Sequence, residues 1–219
     1  LKRIEEDKKI FQTKFESQLN EIHKKINSNK PLNFLHSGHA ADIVNVLPAI
    51  KEISKNHECN LYIRINKPLK YYHKHPAGKV FINEKIYNML EPFLSSQKYI
   101  NKVEKFSKQS IDIDFDIYRE MPINLLFDNI KYSFHVTGLF PDLSLPYIDV
   151  NLHEQIKEKI VIQRTFRYRN YFINYKFLNN YENLLFVGTK EEFNDMKLEV
   201  KNIEFYDCKD FLEMASIIK

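Results

Sequence analysis

Tryptophan is absent from these 219 residues, glycine occurs four times and cysteine twice. Cys59 and Cys208 lie far apart with no metal-ligand or redox spacing around them, which excludes a disulfide framework. They read as buried free thiols in a reducing compartment. No apolar run approaches the ~18 residues of a membrane span, and no signal-peptide pattern precedes the first strand. The chain therefore reads as soluble and cytosolic. A strong charge of one sign is also missing: 33 Lys and Arg stand against 29 Asp and Glu, a net +4. That excess is too small and too scattered to indicate nucleic acid as a partner. The P-loop signature, the G-x-S-x-G nucleophile elbow and the H-E-x-x-H zinc motif are all absent.

The remainder is a chain able to bury a core, with 43% hydrophobic residues, and one large or two small domains are expected. Residues 1–30 place Ile4, Phe11, Phe15, Leu19, Ile22 and Ile26 on one stripe of an amphipathic helix, a connector that packs on the next domain or joins partners. Glu5, Glu6, Asp7, Glu16 and Glu21 dilute the basic face that a membrane-surface helix would carry. Strands are then predicted at 32–35, 60–65, 99–103 and 113–117, with helices over 43–55, 84–94 and 125–136. Leu139–Pro146 has the composition of an interdomain linker. A second alternating set follows: strands at 160–163, 184–187 and 203–206, helices at 171–178, 190–196 and 210–219. Repeated βα alternation predicts an α/β fold with parallel sheets, arranged as two similar doubly wound domains over 31–140 and 147–219. Leu1 falls inside a helical pattern and the last helix has no stop signal, so the chain reads as part of a longer polypeptide whose second domain is incomplete.

The most informative stretch is His36-Ser37-Gly38-His39-Ala40-Ala41-Asp42-Ile43, where a strand, a small-residue turn and a helix start succeed one another. In open α/β sheets this junction faces the ligand crevice. Asp42 is either a general base or the cap of the following helix. Pro48 falls inside that helix, so a loose first turn that becomes regular near Pro48 is expected to free the Asp42 side chain. Gly38 permits positive φ and close approach of a substrate, or makes a plain tight turn. His39 orients a ligand or shares a proton with Asp42, whereas His36 satisfies a backbone partner in the sheet.

Gly38-His39-Ala40-Ala41-Asp42-Ile43 followed by Leu47-Pro48-Ala49-Ile50 resembles the first-turn signature of the family 9 glycosyltransferases, the ADP-heptose:lipopolysaccharide heptosyltransferase group. Ile160–Thr165, Leu184–Glu192 and Phe211–Ala215 follow in the family's order. The chain departs from the pattern at Ala41, where the family places Gly. The resemblance implies two facing Rossmann-like domains of glycosyltransferase B architecture and inverting, metal-independent transfer of a sugar from a nucleotide-diphosphate sugar to a glycan or lipid-linked acceptor. It implies no cofactor and a cytoplasmic location, the inner membrane face included. Asp42 would accept the acceptor proton, with Gly38 and His39 on the acceptor side. The alternatives from this reading are a non-catalytic binding module of the same fold and a nucleotide-sugar epimerase.

Gln163-Arg164-Thr165-Phe166-Arg167-Tyr168-Arg169 alternates cations with aromatics directly after a strand. Guanidinium forks match phosphate oxygens, so the cluster suits a diphosphate leaving group or forms a solvated basic loop. By resemblance Arg164 and Thr165 contact the donor phosphates, with Arg167 and Arg169 beside them. Thr189 to Glu192 fits a capping box, and by resemblance Gly188, Glu191 and Glu192 border the nucleotide. His73-Lys74-His75 has the look of a metal site without further ligands nearby. Asp112, Asp114 and Asp116 form the polar face of a strand. The fragment alone is expected to be inactive.

Overall fold

A computed structural model describes residues 2–69, 77–121 and 128–219. The chain divides into two compact units, Leu1–Asp149 and Val150–Lys219, each described by itself.

Unit 1 opens with α1 (Lys2–Ile10), a π-helical turn over Phe11–Phe15 and α2 (Glu16–Ile26). Phe15, Leu19 and Ile22 are buried while Ile4 is exposed, so only the second half of the stripe packs. Burial at those positions contributes roughly 1.5–3 kcal/mol each. Lys14 pairs with Glu120 at 2.9 Å and Lys25 with Asp112 at 3.2 Å, both within unit 1.

The sheet follows as β1 (Leu32–His36), α3 (Ala40–Val44), α4 (Leu47–Ile53), β2 (Cys59–Ile63), α5 (Glu84–Ser95), β3 (Lys102–Lys105), β4 (Ile113–Asp114) and α6 (Asn129–Thr137). All pairings are parallel, in the order β3-β2-β1-β4. Successive residues Phe34, Leu35 and His36 are all buried, the mark of a strand covered on both faces.

The expected helix over 43–55 is two helices, because Pro48 lies in the first turn of α4 and removes the backbone donor that would continue α3. The expected strand 99–103 pairs three residues later. The strand expected over 113–117 stops after Asp114, whose side chain accepts the Asp116 N–H at 2.9 Å and turns the chain into a 3-10 helix over Phe115–Arg119. α6 ends at Gly138 in the left-handed region, φ 70°, and the start expected for it lies outside the described residues. The segment expected as a linker belongs to unit 1: Lys51 Nζ donates to Pro146 O at 2.9 Å, Tyr99 OH to Tyr147 O at 2.7 Å, and Asp149 N to Gln97 Oε1 at 2.8 Å.

Unit 2 is β5 (Ile160–Ile162), β6 (Leu184–Val187), α7 (Lys190–Glu199), β7 (Ile203–Tyr206) and α8 (Phe211–Ile218), with a parallel sheet ordered β5-β6-β7. The helix expected over 171–178 is instead a 3-10 helix over Tyr175–Asn180. α7 carries the capping box of Thr189 and Glu192, and Asp210 caps α8 by accepting Glu213 N at 2.8 Å. β6 is buried throughout, and Phe186, Phe193, Met196 and Ile203 form the core between sheet and α7. Both thiols are free. Cys59 is buried, which pushes its thiol up to about 12, and Cys208 is half-buried, at about 11. Among the described residues no helix is long and apolar enough to cross a membrane.

Candidate functional site

The chain leaves β1 for β2 on one side and later returns to place β4 on the other. The carboxyl ends of β1 and β4 therefore form the point where strand order reverses, the position at which open α/β sheets open a crevice for ligands. The turn after β1 and the 3-10 helix after β4 meet there.

Their side chains build one polar array. Asp42 Oδ2 accepts from Arg119 Nη2 at 2.6 Å and from the His39 backbone N–H at 2.9 Å. His39 caps α3, with Asp42 three residues on. Asp42 is thus neither the N-cap nor a side chain freed by a loose first turn: it closes the turn and binds Arg119 as well. Its side chain remains 20% exposed. Arg119 Nε reaches Asp116 Oδ1 at 3.3 Å, and the guanidinium lies over the Phe81 and Tyr118 rings at 5.0 and 4.9 Å. Behind it, Ser37 donates its hydroxyl to Asp116 Oδ2, and Lys67 Nζ reaches the same carboxylate at 3.0 Å and Ser37 Oγ at 2.9 Å. His39 Nδ1 lies 3.1 Å from Phe81 O.

His36 sits fully buried beneath the turn. Its Nδ1 accepts the Gly38 N–H at 2.9 Å, which places the ring proton on Nε2. Burial drives the imidazole down to about 4 against the opposing pull of Asp116 and Asp42, so it is neutral at pH 7. Burial alone would raise Asp116, but His36, Lys67 and Arg119 outweigh it and hold the carboxyl below its ordinary value. Because His36 is neutral, Lys67 and Arg119 carry that effect at neutral pH. Burial raises Asp114. Gly38 is not in the left-handed region, so of the two roles open to it the positive φ is not used. A Cβ there would lie 2.7 Å from Asp42 Oδ2 and from His36 Cε1, and closer still to Arg119 Nη2. What crowds this glycine is the array itself.

Two carboxylates and two cations alternate here within hydrogen-bond reach. Such an array presents acceptors and donors side by side at the mouth of the sheet. Gly38, His39 and Asp42 come together as expected from their proximity in sequence. Lys67, Asp116 and Arg119 were missed, because they lie far along the chain and only the parallel pairing of β4 with β1 brings two of them to the turn.

The second group of expected residues gathers around α7. Asp195 Oδ2 pairs with Arg164 and, at 2.8 Å, with Arg169, whose other nitrogen binds Glu199 at 2.8 Å. Arg164 is buried, with its ring-facing side 5.4 Å from Tyr175, and its Nε and Nη1 have no partner among the described residues. Thr165 Oγ1 accepts Tyr168 N at 3.3 Å, and the exposed Arg167 stacks over Tyr168 at 5.2 Å. Glu192 accepts Phe166 N at 3.0 Å and Thr189 N at 3.1 Å, bringing the arginine loop to the residues beside Gly188. Glu191 lies exposed in the first turn of α7. The acids at 192, 195 and 199 recur at helical spacing, a signal that sequence reading could have matched to the arginines.

His73 and His75 lie outside the described residues. Among the described residues no group of three or more His, Cys, Asp or Glu is placed to hold a metal ion. No family model matches this chain, and no curated protein or solved structure matches it significantly.

Proposed function

We propose that the chain belongs to a glycosyltransferase of B-type architecture that transfers a sugar from a nucleotide-diphosphate sugar to a glycan or lipid-linked acceptor, inverting and without a metal. The observation that carries this reading is Asp42, a partly exposed carboxylate at the switch point of the first sheet, oriented at once by its own helix turn and by Arg119. General-base removal of an acceptor hydroxyl proton calls for an accessible, positioned carboxylate, and both bonds that position Asp42 fall on Oδ2. In this scheme Gly38 and His39 border the acceptor. Arg164, Thr165, Arg167 and Arg169 border the diphosphate, and Gly188, Glu191 and Glu192 border the nucleotide. Its place is the cytoplasm, including the inner face of a membrane.

One specific observation favours a non-catalytic binding module instead: Arg164 and Arg169 are already paired with Asp195 and Glu199. A donor must then recruit Arg167 or displace those carboxylates. Thermal shift of the full-length protein against ADP- and UDP-sugars separates the two readings. Transfer requires stabilisation by a donor that Arg167→Ala weakens, and product formation that Asp42→Asn lowers by about 10²–10⁴ with donor binding retained. No shift with any nucleotide sugar favours the module.

A further inference from the structure

From Gln163 to Tyr181 the chain has no Asp or Glu, while Arg, Lys and aromatic residues follow one another closely. In the structure Tyr175 packs against the core, whereas Tyr168 is 78% exposed, Tyr171 77% and Phe172 98%, with Phe166, Phe177 and the aliphatic Ile173 also exposed. α7 fixes the loop from its inner side. Glu192 accepts Phe166 N, Glu199 accepts Tyr175 N at 3.1 Å, and Asp195 and Glu199 engage Arg164 and Arg169. Asn170 Oδ1 accepts Phe172 N at 2.9 Å, a turn that leaves Phe172 almost wholly exposed beside the exposed Ile173. The inner arginines are thereby neutralised, and Arg167 and Lys176 remain as exposed cations with no acid in their segment.

An exposed apolar cluster on a fixed backbone marks a binding surface. Its composition selects the occupant. Tyrosine rings suit the headgroup level of a bilayer, exposed phenylalanine and isoleucine suit the acyl boundary, and unopposed cations suit anionic headgroups. We propose that residues 166–177 dock on an anionic lipid surface, with Phe172 and Ile173 at the acyl boundary and Arg167 and Lys176 over the headgroups. The inference shares Arg167 with the sugar-transfer reading but not Phe172, so variants at Phe172 test it by themselves.

The test is co-sedimentation of the full-length protein with phosphatidylcholine vesicles with and without phosphatidylglycerol. Binding should require the anionic lipid, fall with salt, and weaken about tenfold or more in Phe172→Ser. Phe172 is almost fully exposed, so thermal unfolding of that variant should match the parent. Phe172→Trp introduces an indole into a segment that has none. Its emission should shift to the blue on vesicles and be quenched by brominated acyl chains. Absent vesicle binding, or equal binding by Phe172→Ser, overturns the proposal. So does concentration-dependent dimerisation abolished by Phe172→Ser without vesicle binding, or single-stranded oligonucleotide binding in place of lipid binding.

Discussion

Gly38 has no room for a side chain because Asp42, His36 and Arg119 close over it. Gly38→Ala should therefore cost about 1–3 kcal/mol through overpacking, read as a lower urea midpoint at unchanged m. His36 makes a second prediction, on pH. Its folded-state value is near 4 against 6.5 for the free side chain, so between those values the unfolded chain binds a proton that the folded chain excludes. The stability that this residue supports is intact above pH 6.5 and declines as pH falls toward 4, by roughly 3 kcal/mol in all. Urea titrations at several pH values should show that decline, and His36→Gln should remove most of it. The contact that identifies Asp42 was only half legible in the sequence. His39 and Asp42 are three residues apart and form a local turn, whereas Arg119 reaches Asp42 from 77 positions away.

α7 shows how an element can redefine residues outside it. Read alone, the arginine loop looks like a free phosphate clamp. Read with the stripe of Glu192, Asp195 and Glu199, two of its three guanidinium groups are internal staples and the third is free to act outward. Asp195→Ala should leave the buried Arg164 uncompensated and cost about 3 kcal/mol. Arg167→Ala, at an exposed position, should stay within about 0.5 kcal/mol. Chemical denaturation of both variants checks the contrast, and equal effects would remove the assignment of these roles. The 3-10 turn after β4 makes the same point. Alternating Asp and Ile between 112 and 117 reads as a longer strand, but the Asp114 carboxylate captures the Asp116 backbone N–H and ends it. That is a local bond, yet period-two patterning alone conceals it.

The two compact units carry separate sheets and separate cores. A polypeptide of residues 1–149 should accordingly unfold in one cooperative urea transition by circular dichroism, since its four-stranded sheet is already covered on both faces at β1. A broad, non-cooperative loss of signal would mean that this core is not self-sufficient.

Apolar periodicity, caps and the β–α rhythm were enough to place both parallel sheets and most helices, because each depends on neighbours within a few residues. The Thr189–Glu192 box and β7 fall where their local patterns put them. What belongs to tertiary structure is every partnership made across strands: Arg119 with Asp42, Lys67 with Asp116, Asp195 with Arg164. Those bonds form only after parallel pairing has chosen which carboxyl ends lie side by side, and no spacing along the chain encodes that choice.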